Sequence, residues 1–336
     1  MASDDIRDLI IIGGGPTGLF GAFYAGLRGL RTAIIDSLPE LGGQLTALYP
    51  EKYVFDVGGI PRILAKDLAR DLVAQGLQFG AETILDEELG GLQREDDHWR
   101  LVGRTGEYRA RALLIAGGKG AFEPRHLEVP GYHELMGRGV YYAVKDPESY
   151  RGKRVVIVGG GDSALDWTLA LKDVASQVVL LHRRDGFRAH EQSVEALQAA
   201  VVAGTVDLRT FHEVRCVEGR ELVEAVTVFD NRTDLDDRLA ADALLCFLGF
   251  KPDLGPIKEW GLDIRKNRIL VTSLMETNLQ GVYAAGDIVD YDGKLDLIAT
   301  GFAEAAIAVN NAARFLDPSA RVNPGHSTNL KIFENK

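Results

Sequence analysis

Two glycine turns, one carboxylate and a short run of arginines are the residues whose types and spacing point to chemistry. Gly13-Gly14-Gly15-Pro16-Thr17-Gly18 follows the apolar run Leu9-Ile10-Ile11-Ile12 and opens a helical stretch from Leu19 to Gly29. A second apolar run, Thr32-Ala33-Ile34-Ile35, ends at Asp36. Strand, turn, helix and strand in that order form a βαβ unit carrying the GxGxxG pattern. Gly13 makes the tight turn, Gly15 lets backbone approach a pyrophosphate, and Gly18 lets helix pack on strand. The helix start, with Thr17 in its first turn, presents N–H groups and partial positive charge to phosphates. Asp36 is placed to accept hydrogen bonds from a ribose diol.

The pattern returns once. Val155-Val156-Ile157-Val158 leads into Gly159-Gly160-Gly161-Asp162-Ser163-Ala164, a helix is expected from Ser163 to Leu171, and a strand from Val178 to Leu181. Asp36 follows Gly13 by 23 positions, and His182 follows Gly159 by the same interval. The ends of the two second strands therefore correspond, yet one carries a carboxylate and the other His182-Arg183-Arg184, with Arg188 close behind. A carboxylate there binds a free diol and repels a 2′-phosphate, whereas arginines bind the phosphate with charge-assisted hydrogen bonds. The first unit suits FAD and the second NADPH.

The rest of the chain must position these turns. At 336 residues it is long enough for two domains, each with its own core. Leu41-Gly42-Gly43-Gln44 and Leu48-Tyr49-Pro50 form a loop that a nucleotide fold alone does not require. Tyr49 is open to two readings, ordinary core or an aromatic stacked on a flat ring. Residues 61–76 read as a helix with Ile63, Leu64, Leu68 and Leu72 on one face. Residues 83–112 and 207–248 alternate apolar and charged types, as antiparallel meanders do. Leu113-Leu114-Ile115-Ala116 and Gly281-Val282-Tyr283-Ala284-Ala285 read as buried strands, the latter ending in Gly286-Asp287. Asp287 is placed to meet a ribityl chain or pyrophosphate. A helix is expected from Gly301 to Leu316, its start directed at a reduced flavin's negative charge.

Composition excludes several classes. The net charge of −11 argues against a nucleic-acid binder and against an anionic membrane surface. Cys216 and Cys246, the only cysteines, suggest reduced core thiols rather than a metal site or disulfide framework. The acidic start Met1-Ala2-Ser3-Asp4-Asp5 lacks the regions of a signal peptide, and the cytoplasm is the expected location.

Taken together, the two turns, Leu41-Gly42-Gly43-Gln44, His182-Arg183-Arg184 with Phe187-Arg188-Ala189, and Gly286-Asp287 resemble the low-molecular-weight thioredoxin reductases. Those enzymes carry Cys-x-x-Cys just before the second turn, where this chain has Tyr142-Ala143-Val144-Lys145-Asp146 and cannot form a dithiol. The chain is more similar to the thioredoxin-reductase-like class of ferredoxin–NADP⁺ reductases, in Leu48-Tyr49-Pro50-Glu51-Lys52-Tyr53, in Gly159 to Trp167 and in His326-Ser327-Thr328.

That resemblance implies an α/β fold of two Rossmann-like three-layer (ββα) domains, pyridine nucleotide-disulfide oxidoreductase-like, each with a small antiparallel meander. It divides the chain into residues 1–120 and 248–336 for FAD, around residues 121–247 for NADPH. It implies a homodimer, FAD contacts from Asp36, Gln44, Tyr49, Leu89, Phe122, Asp287 and Thr328, and Tyr49 and His326 on opposite faces of the isoalloxazine. The 2′-phosphate falls to Arg183, Arg184 and Arg188. The implied reaction is hydride exchange between NADP(H) and flavin N5, with one-electron transfer to ferredoxin and no acid or base from the protein. Flavodoxin, a quinone or a ferric chelate as acceptor, or a flavin sensor without turnover, are the alternatives.

Overall fold

A computed structural model of the chain describes residues 6–144, 146–323 and 325, with the side chains of 121–124 and 250–252 left aside. It divides into two units, residues 1–122 with 252–336, and residues 123–251. The chain crosses between them at the strands Ala121–Pro124 and Phe250–Asp253.

In the first unit, parallel strands Glu82–Ile84, Thr32–Ile35, Ile6–Ile12, Glu107–Ile115 from Arg109 onward, and Val282–Ala284 lie side by side. Alternation along Ile6–Ile12 explains its fourfold apolar run. Leu9 and Ile11 enter the core under the helices Pro16–Leu27, Ala65–Leu77 and Ile298–Leu316, while Ile10 and Ile12 enter the core on the other face. Each such side chain, fully buried, contributes about 2 kcal/mol.

The meander comprises Leu89–Arg94, Trp99–Gly103 and the N-terminal half of Glu107–Ile115. The end of the meander expected over residues 83–112 and the strand expected from Leu113 are thus one nine-residue strand. It pairs antiparallel through Ala110 with Trp99 and parallel through Ile115 with Ile12 and Ala284.

The second unit repeats the plan with parallel strands Val140–Tyr141, Ala243–Phe247, Arg154–Gly159, Gln177–His182 and Asp207–Thr210. Val156 and Val158 face the meander, and Val155 and Ile157 face the helices Asp162–Leu171 and Glu191–Val202. Both units are three-layer ββα, as expected.

Several boundaries differ from the sequence reading. Asp207–Thr210 and Ala243–Phe247 belong to the parallel sheet, so the second meander is only His212–Glu218, Ala225–Asp230 and Asp236–Ala240. The helix expected from Pro61 begins at Ala65, because Ile63 and Leu64 pair with Tyr53 and Val54 in a short hairpin. The last helix begins at Ile298, one turn earlier than expected, with extended Leu297 as its N-cap. Among the described residues no helix is long and apolar enough to cross a membrane.

Candidate functional site

Register assembles the first site. Ile12 stands opposite both Ile35 and Ile115, and Ile115 opposite Ala284. The parallel strands therefore end level, and Gly13, Asp36, Gly117 and Gly286 emerge along one carboxyl edge, where open α/β sheets bind ligands.

Steric necessity explains the glycines. Gly13 has φ +107°, and a Cβ there would lie 2.5 Å from the Ala116 carbonyl oxygen. A Cβ on Gly18 would collide with the Gly13 carbonyl. Gly15 is different: its nearest neighbour would be the Gly43 Cα, 3.9 Å away. Gly15 is the N-cap of the helix beginning at Pro16, with no side-chain cap, so the first N–H groups have no side-chain acceptor there. An open approach, uncapped N–H donors and a helix N-terminus fit a pyrophosphate.

Asp36 braces the turn. Its Oδ2 accepts the Gly14 N–H at 2.5 Å and its Oδ1 the Leu38 N–H at 2.8 Å. Burial pushes its carboxyl up, and the backbone hydrogen bonds oppose this. Each oxygen retains acceptor capacity for a ribose hydroxyl.

Segments distant in sequence complete this edge. The Gly42 N–H donates to the Gly14 carbonyl at 2.9 Å, which ties the Leu41–Gln44 loop to the glycine turn. Gln44 Nε2 then lies 3.3 Å from the point a Gly118 Cβ would occupy. Thr17 packs against Gly286 and Gly301. Tyr49 is half-buried against the helical-face core. Its phenol is pushed up to about 12 by burial and then by the charges of Asp287 and Asp56. Burial, then Asp296, raises the Asp287 carboxyl, while Lys119, 4.0 Å away, lowers it. Leu89 is a core residue of the meander, opposite Gly103. Phe122 lies in the strand Ala121–Pro124 with its side chain outside the described residues, as His326 and Thr328 are entirely.

In the second unit Val158 stands opposite Leu181 and Gly159 opposite Phe247, so Gly159 and His182 again share an edge. A Cβ on Gly159 would lie 2.7 Å from both the Ala164 Cβ and the Phe247 carbonyl oxygen. Ala164 is buried there and Ser163 is exposed. Gly161 is the uncapped N-cap of Asp162–Leu171, and nothing lies within 4 Å of its Cβ position. Asp162 turns its carboxylate to the His190 N–H at 2.9 Å.

The basic loop hangs from the turn. The Arg188 N–H donates to the Gly160 carbonyl at 2.8 Å, and the Arg183 carbonyl accepts from Asn231 at 3.0 Å. His182 pairs through Nε2 with the Gly186 carbonyl at 3.0 Å and stacks on Phe187. Arg183, Arg184 and Arg188 are exposed, and none of their guanidinium groups bonds a described residue. Exposed unpaired guanidinium groups beside uncapped N–H donors suit a nucleotide with an extra phosphate.

No thiol pair stands before this turn. Cys216 and Cys246 are both free. Burial pushes the Cys246 thiol up to about 12, which keeps it protonated and unreactive. Among the described residues no cluster could hold a metal ion.

Sequence reading missed Lys119, the buried ion pair Lys294–Glu304 and the half-buried Tyr291 around Gly286. The one available signal was Glu304 itself, an acid on the buried stripe formed with Gly301, Ala305, Ala308 and Ala312.

Comparison with known proteins agrees with this architecture. The pyridine nucleotide-disulphide oxidoreductase family matches residues 7–312. The chain is 51% identical over 329 residues to a ferredoxin–NADP reductase of Thermus thermophilus, covering 98% of each chain. It is 46% identical over 332 residues to ferredoxin–NADP reductase 2 of Bacillus subtilis, again covering 98% of each. Among solved structures, a Lactococcus lactis thioredoxin reductase is similar with a TM-score of 0.77 and 25% identity, over 92% of this chain and 99% of that one. The chain belongs to the pyridine nucleotide-disulphide oxidoreductase family and, within it, to the thioredoxin-reductase-like ferredoxin–NADP reductases.

Proposed function

We propose that this chain is a flavoprotein reductase that exchanges electrons between NADP(H) and a ferredoxin, with FAD on the unit of residues 1–122 and 252–336 and NADP(H) on residues 123–251. The observation that carries this reading is the contrast between the two turns. One ends beside a buried carboxylate, Asp36, and the other beside three exposed arginines whose guanidinium groups have no partner among the described residues.

Gly13, Gly15, Thr17 and Gly18 receive the FAD pyrophosphate at the helix start, and Asp36 takes the ribose diol. Gln44, Tyr49 and Asp287 lie toward the ribityl and ring portion, Tyr49 offering its face for stacking. Leu89 and Phe122 contribute at the periphery, and the resemblance assigns His326 and Thr328 to the same cofactor. In the other unit Gly159, Gly161, Ser163 and Ala164 receive the dinucleotide's pyrophosphate, and Arg183, Arg184 and Arg188 bind the 2′-phosphate. Asp162 and His182 act on that site by holding the backbone of the 186–190 loop.

The chemistry supplied by bound flavin is hydride exchange at N5 and electron release one at a time. The protein's own residues bind, orient and exclude water, and the absence of a cysteine pair leaves no thiol relay between cofactor and acceptor. A homodimer in the cytoplasm, without nucleic-acid or membrane partners, completes the proposal. Because the chain is acidic overall, an acidic ferredoxin requires a local basic surface and a salt-sensitive encounter.

Purified protein with FAD, NADPH and ferredoxin, and cytochrome c as reporter, tests the reading. Cytochrome c reduction that depends strongly on ferredoxin and prefers NADPH to NADH is expected. Equal rates without ferredoxin, or with NADH, contradict it.

A further inference from the structure

The Gly286–Asp287 turn is held from behind by a buried ion pair. The side chains of Lys294 and Glu304 are 4% and 3% exposed, with Nζ 2.8 Å from Oε1. Glu304 Oε2 accepts the Gly286 N–H at 2.7 Å, and Oε1 also accepts the Tyr291 hydroxyl at 2.6 Å. All three partners donate, and only an acceptor-only group, a carboxylate, satisfies them together.

Stability does not account for this arrangement. A buried ion pair loses in desolvation most of what it gains in attraction, and apolar residues of similar volume commonly do as well. What the pair uniquely does is fix an amide. Gly286 has φ +85°, and a Cβ on it would lie 2.8 Å from Thr17 Oγ1. Thr17 on one side and Glu304 on the other leave the turn a single placement. The next residue is Asp287, half-buried at the carboxyl edge of the sheet.

We propose that Glu304 and Lys294 are positioning residues for the flavin site: Glu304 holds the Gly286 N–H, and through it Asp287, in the orientation the cofactor needs, and Lys294 is the counter-ion that lets a carboxylate stand there. The inference rests on the reading that this unit binds FAD. With side chains 4% and 3% exposed, neither residue offers a surface to a ligand: Glu304 acts through the turn, and Lys294 through Glu304 and through its charge near Asp287.

Donor–acceptor arithmetic supplies the test. In Glu304→Gln the amide NH2 must face one of three donors, and the turn or the lysine loses its acceptor. In Glu304→Gln/Lys294→Met the amide oxygen again accepts from Gly286, while its NH2 donates to the Tyr291 oxygen, which can turn to accept. FAD affinity of the full chain, stripped of nucleotide, is read by flavin fluorescence on titration, and the thermal midpoint of the same stripped protein by circular dichroism.

Glu304→Gln is expected to weaken FAD binding about tenfold or more, and the double variant to recover it to within about threefold of the native chain. If Glu304→Gln does not fold, the double variant decides alone. Native-like FAD affinity in Glu304→Gln overturns the inference, as does a double variant that melts like the native chain yet still binds FAD about tenfold more weakly. A native chain that takes up no FAD overturns the underlying reading as well, which separates the two failures.

Discussion

His182 stacks on Phe187 with ring centroids 4.8 Å apart and planes 21° apart, and its imidazole fills the space that a Cβ on Gly160 would need. The histidine therefore organises the backbone between the glycine turn and Arg188. Its substitution should act through the loop. A contact of this kind is worth about 0.5–1.5 kcal/mol, or roughly two- to twelvefold in an equilibrium. His182→Ala is expected to raise the KM for NADPH by that factor, leaving the KM for NADH and the saturated rate within about twofold. Steady-state kinetics with both nucleotides check this. A fall in kcat at unchanged KM would give His182 a different role.

Arg183, Arg184 and Arg188 should confer the nucleotide preference themselves. A hydrogen bond to a charged group is worth about 1.5–3 kcal/mol, so each Arg→Ala change should raise the KM for NADPH about tenfold or more. NADH binding should change little. Added salt should narrow the native preference, since the guanidinium groups are exposed and screened. A triple variant that still prefers NADPH as strongly as the native chain would remove the arginines from this role.

Neither cysteine should matter to electron flow. Cys246 is buried and held protonated, and Cys216 sits half-buried in the meander. The double variant Cys216→Ala/Cys246→Ala is expected to keep NADPH-driven reduction of a one-electron acceptor within about twofold, because no thiolate takes part. Loss of turnover in a chain that still melts at the native temperature would restore a thiol route.

The second unit should carry an acid-sensitive tie. Asp242 accepts from the Arg154 backbone N–H at 2.8 Å and from its guanidinium at 2.6 Å, joining strand Arg154–Gly159 to the residue before Ala243–Phe247. These hydrogen bonds, first those of the side chain, hold the carboxyl down at about 2 against an ordinary 3.8. A depressed carboxylate contributes stability that is fully present above the unfolded value and lost as pH falls toward the folded one. Both side chains are about two-fifths exposed, so screening reduces the contribution to about 1 kcal/mol. Asp242→Asn should be less stable than the native chain by that amount at pH 7, with the gap closing between pH 4 and pH 2. Urea unfolding across that range checks it, and a gap independent of pH would refute the assignment.

Much of the two nucleotide turns was legible in the sequence because each repeats the same strand, glycine and helix spacing within one short stretch of chain. Gly13, Gly18 and Gly159 meet backbone within their own βαβ units or the adjoining strand, where no side chain fits, and the apolar runs before them alternate between two covered faces. Spacing alone brought Asp36 and His182 into correspondence. Boundaries were less legible where one stretch serves several partners, as in Glu107–Ile115, parallel to Ile6–Ile12 along one edge and, along the other, antiparallel to Trp99–Gly103 and then parallel to Val282–Ala284.

By itself the sequence determined two glycine turns of βαβ spacing, one followed by a carboxylate and the other by arginines, and the lack of a Cys-x-x-Cys, since residue identity and spacing along the chain are read without knowing the neighbours. Only the tertiary structure decided that Tyr49 shares its surroundings with Asp287, that Asp162 and His182 serve the loop, and that Glu304 and Lys294 close over Gly286. Those relationships come from level strand ends and helix packing between segments far apart in the chain, and such contacts leave no period or motif behind.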